Sequence, residues 1–121
     1  DNTITDSGNG IEILNGFNNR ITGNTFARNT QAHIQMVEFG SSAVVMNNIV
    51  TGNTFTTTGR EEMFRLSSEL GTTAIGRFAS YNANDYRSNA TIFANYNGEA
   101  QSFAQWRTRT GQDGSSTLRA P

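Results

Sequence analysis

Five side chains in this sequence have the types and spacing to act together on a ligand: Glu12, His33, Gln35, Glu62 and Arg65. Each sits in or beside a short run in which apolar and polar residues alternate. Ile11 and Ile13 flank Glu12, Ala32, Ile34 and Met36 alternate with His33 and Gln35, and Phe64 and Leu66 flank Arg65. A period of two is that of a strand with one buried face. If the strand carrying Glu12 stacks on the strand carrying His33 and Gln35, Glu12 lies near one of them on the outer face, with Glu62 and Arg65 following in the next repeat. Such a row could make planar hydrogen bonds to the hydroxyls or carboxylates of a sugar chain. The plainer reading, and the preferred one, is a solvated face with cross-strand pairs worth about 0.2–1 kcal/mol each. Glu61 and Glu62, beside Arg60 and Arg65, read as an exposed charged patch, although a general acid and base flanking a glycosidic bond also need two nearby carboxylates.

Other chemistries find no support. All nine basic residues are arginine and lysine is absent, so no Walker loop can be completed, and no GxGxxG follows a strand. His33 is the only histidine and there is no cysteine, which leaves no ordinary transition-metal site, disulfide or thiol chemistry. No cofactor is implied; a Ca²⁺ site built from carbonyls and carboxylates would leave no signature here, and the spaced aspartates of an EF-hand are missing. A G-x-S-x-G elbow is also missing.

The elements that must position these residues follow from composition. Asn, Thr, Gly and Ser number 15, 16, 12 and 10 of 121 residues, while proline occurs once, so the chain is built on many turns. Twelve aromatic residues and a net charge of −1 argue against disorder. The arginines are scattered, so no basic stripe exists for nucleic acid, and no apolar run is long enough to span a bilayer.

The chain repeats. Ile21-Thr-Gly-Asn-Thr-Phe26 returns as Val50-Thr-Gly-Asn-Thr-Phe55, 29 residues later. A reduced form, Asn followed two places on by a large apolar residue, occurs at Asn2/Ile4, Asn24/Phe26, Asn53/Phe55 and Asn84/Tyr86, with spacings of 22, 29 and 31. Connections this short cannot hold crossover helices, and the period is too short for four-stranded blades. Stacked coils are predicted, with Phe26, Phe55 and Tyr86 forming an inward ladder and Asn24, Asn53 and Asn84 an asparagine ladder at a bend. There the asparagines would enter the left-handed region and pair amide to amide.

Gly10-Ile-Glu-Ile-Leu-Asn-Gly16, Asn19-Arg-Ile-Thr-Gly-Asn-Thr-Phe26 and Asn48-Ile-Val-Thr-Gly-Asn-Thr-Phe55 resemble the right-handed parallel β-helix superfamily of pectate-lyase-like proteins. Asn82-Ala-Asn-Asp-Tyr86, Ser102-Phe-Ala-Gln-Trp106 and Thr110-Gly-Gln-Asp113 with Ser116 look like the closing region of many secreted members. The resemblance implies an all-β right-handed solenoid of about four to five coils with a short C-terminal helix, the C-terminal portion of a longer one. Residues 1–98 would be the stacked coils and 99–121 the helix and terminal segment. Ser102 and Gln105 form a capping-box pattern, Gly111 can end the helix, and Phe103 and Trp106 share the face that packs on the coils.

The resemblance further implies a secreted or cell-surface protein that recognises or processes polysaccharide, with this segment mainly scaffold and binding surface. The motifs of the family's lyases, galacturonases and epimerases are missing: there is no lysine, Gly-His-Gly, Arg-Ile-Lys or Asp-Pro-His. Two alternatives stay open. One is a lyase or glycoside hydrolase using Glu12, His33, Glu62 and Arg65; the other is a structural subunit of a filament, tailspike or surface assembly, self-associating through open coil ends.

Overall fold

The structure, a computed structural model, describes residues 1–41 and 44–121. In chain order the first strands are β1 (Thr3–Thr5), β2 (Asn9–Leu14), β3 (Arg20–Thr22), β4 (Thr25–Ala27), β5 (Ala32–Glu38) and β6 (Asn48–Thr51). There follow β7 (Thr54–Thr57), β8 (Glu62–Ser68), the one-turn helix α1 (Thr72–Ile75), β9 (Ala79–Asn82), β10 (Asp85–Ser88), β11 (Ala94–Tyr96) and β12 (Glu99–Gln101). The helix α2 (Phe103–Thr110) and β13 (Thr117–Arg119) complete the chain.

These strands form three sheets, in the orders β1-β4-β7-β10-β13, β2-β5-β8-β11-β12 and β3-β6-β9. Every pairing is parallel except that of β11 with β12, which turn back on each other through Asn97 and Gly98, both at positive φ. The registers build straight rows of inward side chains. Ile4, Phe26, Phe55 and Tyr86 are successive partners in the first sheet, with the exposed Leu118 following at its edge, and Ile11, Ile34, Phe64 and Ala94 in the second. Ile21, Val50 and Tyr81 do the same in the third. The rings of Phe26 and Phe55 stack at 4.7 Å and 11°, and those of Phe55 and Tyr86 at 5.2 Å and 24°. Offset pairs of this kind add about 0.5–1.5 kcal/mol each beyond their burial.

The expectation of an all-β right-handed parallel β-helix closed by one short helix is corrected. Strand makes up 47% of the described residues, in three distinct sheets of mostly parallel strands with two helices, an α/β-like mixed arrangement rather than a single solenoid. Alternation of apolar and polar residues identifies strands but does not say where corners divide them into sheets. Nor does it reveal α1, a single turn whose Ile75 is buried.

The asparagine ladder also differs in its bonding. The left-handed step is taken by the preceding residue, Gly23, Gly52 or Ala83, with φ of 68°, 67° and 53°. Each asparagine side chain then accepts from the backbone of the neighbouring strand layer: Asn2 N–H to Asn24 Oδ1 at 3.0 Å, Asn24 N–H to Asn53 Oδ1 at 2.9 Å, and Asn53 N–H to Asn84 Oδ1 at 3.0 Å. Only Asn53 and Asn84 also meet amide to amide, at 3.2 Å. Backbone donors that the bend would otherwise orphan are thereby satisfied.

At the far end α2 lies over the core. Ser102 Oγ accepts from the Gln105 backbone while Gln105 Oε1 accepts from the Ser102 N–H, and Gly111 closes the helix in the left-handed region. Trp106 is fully buried, stacked on Phe64 at 5.0 Å, and its Nε1 donates to Asp113 Oδ2 at 2.7 Å. Trp106 therefore belongs to the packing and offers no ring to a ligand.

Candidate functional site: an outward row on the second sheet

The register of the second sheet sets Glu12, Gln35, Arg65 and Asn95 directly beside one another on β2, β5, β8 and β11. Their neighbours along each strand, Ile11 and Ile13, Ile34 and Met36, Phe64 and Leu66, Ala94 and Tyr96, belong to or pack against the core. The four polar side chains consequently face outward in one line, about 4.8 Å apart.

A second set of polar groups joins this row from the start of the strands. Asn9 Nδ2 donates to Glu12 Oε1 and to Gln35 Oε1, both at 2.8 Å. Arg65 Nε and Nη2 both approach Glu62 Oε1 at 2.8 Å. In a regular strand, residues three apart point to opposite faces. Here they share one: the ladder skips the level of Gly10, His33 and Met63 on all three strands alike, and the alternation breaks there without an extra residue on any strand. After these bonds, Glu12 Oε2, Gln35 Nε2, Arg65 Nη1 and Asn95 Nδ2 have no partner among the described residues.

The same irregularity corrects the placement of His33. It does not join Glu12 on the outer face but is turned inward, fully buried, 6.1 Å from the Phe26 ring and 6.0 Å from that of Phe55. The Asn29 amide at 3.1 Å can only donate, so His33 Nδ1 is the acceptor; Nε2 then carries the proton and donates to Thr57 Oγ1 at 3.1 Å. Burial lowers its pKa to about 4, against the opposing pull of Glu61 and the Thr56 backbone. His33 is a neutral core residue. Gly10 lies over it, with space for nothing larger: a Cβ there would come within 2.6 Å of the His33 carbonyl oxygen.

Glu61 and Glu62 are likewise not an exposed patch, being 5% and 7% exposed. Glu61 Oε1 accepts from the Thr58 backbone at 3.1 Å and so closes the turn before β8, whereas Glu62 is committed to Arg65. Glu12, His33, Glu62 and Arg65 are therefore not assembled as a catalytic set. Among the described residues no three His, Asp or Glu side chains are grouped to hold a metal ion. None of their helices is long and apolar enough to cross a membrane.

Asn9 and Asn95 were not among the residues singled out from the sequence. Ala94-Asn-Tyr96 has the same apolar-polar-apolar form as Ile11-Glu-Ile13 and Phe64-Arg-Leu66, and that pattern marks Asn95. Asn9 stands three residues before Glu12 as Glu62 stands three before Arg65, a correspondence whose meaning depends on the break in alternation between them. Comparison with family models, curated proteins and solved structures found no match, so the resemblance to pectate-lyase-like proteins rests on the quoted motifs alone.

Proposed function

We propose that this chain is a polysaccharide-binding scaffold of a secreted or surface protein, and that the row Glu12, Gln35, Arg65 and Asn95 is its contact surface. The observation that carries the reading is the line of unpartnered hydrogen-bonding atoms on four adjacent strands. Sugar hydroxyls donate and accept at once, so a chain lying across the strands can meet both the Glu12 acceptor and the donors of Gln35, Arg65 and Asn95. The aromatic core directly behind the sheet holds the row rigid, which limits the ordering cost of binding.

The test is electrophoresis of the folded protein through gels carrying a soluble neutral glucan or an alginate, beside a Gln35→Ala/Arg65→Ala variant checked by circular dichroism. Retardation in at least one gel, reduced about fivefold or more in the variant, is expected. A folded protein that migrates unretarded in every gel, or a variant retarded as strongly as the parent, overturns the reading.

A further inference from the structure

Resting on that reading, we infer that the ligand is a neutral polysaccharide and that this surface discriminates against chains of uronates. The charge on the row is the first reason. Its guanidinium, Arg65, is already held by Glu62 through two nitrogens at 2.8 Å, and the Glu62 side chain is only 10% exposed, so this partner is fixed. The other charge on the row is Glu12, an exposed carboxylate whose Oε2 is uncommitted. The row itself carries two carboxylates, Glu12 and Glu62, against one guanidinium, Arg65, which leaves it net negative. A polyuronate carries a carboxylate on every sugar, so one laid along this row would meet Glu12 with like charge while finding Arg65 already neutralised.

The second reason is the apolar flank beside the row. Two residues beyond Glu12 and Gln35, on the same face, Leu14 and Val37 are register partners, and Leu14 is 54% exposed. Phe39 follows at 44% exposed, tied to Asn15 through its N–H and its carbonyl oxygen at 2.9 Å each. Leu14 and Val37 thus give the Glu12 and Gln35 end of the row a short apolar flank, which Ser67, the register partner of Val37, ends. An apolar patch beside hydrogen-bonding groups matches an uncharged sugar chain, whose ring C–H faces and hydroxyl edges lie side by side. A charged chain would have to bring its hydrated carboxylates against the patch.

The experiment titrates the intact protein calorimetrically with size-matched soluble neutral glucan and alginate oligosaccharides, at low and at high salt. The expected result is binding of the neutral oligosaccharide at least about tenfold tighter than that of alginate at low salt, with a gap that narrows as salt screens the repulsion. Glu12→Gln, with its fold verified by circular dichroism, should weaken the discrimination by raising alginate affinity. Tighter binding of alginate than of neutral glucan, or a gap untouched by both salt and Glu12→Gln, overturns the inference while leaving polysaccharide recognition standing. Failure to bind either oligosaccharide removes recognition itself.

Discussion

Replacing His33 by glutamine should flatten the acid dependence of stability by a predictable amount. Glutamine keeps one acceptor for the Asn29 amide and one donor for Thr57, but it cannot titrate. The His33 pKa lies near 6.5 when exposed and is lowered to about 4 in the fold, chiefly by burial. Because the folded value is the lower one, the unfolded chain binds the proton first. The His33 contribution is thus whole above the unfolded value and drains away as the pH falls from 6.5 to about 4. A gap of that size corresponds to about 3 kcal/mol at 1.36 kcal/mol per unit. Urea denaturation followed by the fluorescence of Trp106, the only tryptophan and fully buried, gives the stability at each pH. Carboxylate titrations are common to both proteins and cancel in the difference. The parent should lose about 3 kcal/mol more than His33→Gln between roughly pH 7.5 and pH 4. Parallel curves, differing by a constant to within about 0.5 kcal/mol, would refute both the buried position and the neutral form of His33.

Four further substitutions, two of them combined in one cycle, probe the packing and polar contacts of the fold. Gly10→Ala places a methyl 2.6 Å from the His33 carbonyl oxygen and 3.1 Å from the Phe26 ring, and should cost about 1–3 kcal/mol in urea unfolding. Asn53→Ala removes the acceptor of the Asn24 N–H at 2.9 Å and the donor to Ile21 O at 2.8 Å, and should cost about 2–3 kcal/mol by the same measurement. Glu38 is fully buried; burial pushes its carboxyl up, but Arg77, Ser68 and the Val45 N–H together hold it below its usual value. Arg77→Met should therefore destabilise by about 3 kcal/mol, with part of the loss recovered when Glu38→Gln is added, as a double-mutant cycle would register.

The strands and their stacking partners could be read from local pattern. The repeated Thr-Gly-Asn-Thr-Phe segments are the residues that pair, Thr25 with Thr54 and Phe26 with Phe55. Ser102, Gln105 and Gly111 carry the start and stop of α2 in their own side-chain and backbone chemistry. The division into three sheets, the turn of α1 and the reversal of β12 depend on backbone geometry that a period of two does not encode. For the site, Glu12, Gln35 and Arg65 obeyed the alternation and were found where it puts them. His33 follows the same alternation on paper, yet at the unpaired level it shares with Gly10 and Met63 the alternation breaks and it lies in the core, and nothing in its local sequence signals that break. Glu61 and Glu62 misled for a related reason: adjacent charges suggest a wet turn, but each has a private partner, Thr58 N–H and Arg65.

All of this depends on the register that lays one repeat on the next. The most direct measurement is an isotope-filtered NMR experiment on ring-labelled protein, reading proton cross-relaxation between Phe26 and Phe55 and between Phe55 and Tyr86. With ring centroids at 4.7 and 5.2 Å, strong contacts are predicted for both pairs. Their absence in the folded protein, or contacts of Phe26 that skip Phe55, would contradict the stacking and with it the alignment of Glu12, Gln35, Arg65 and Asn95.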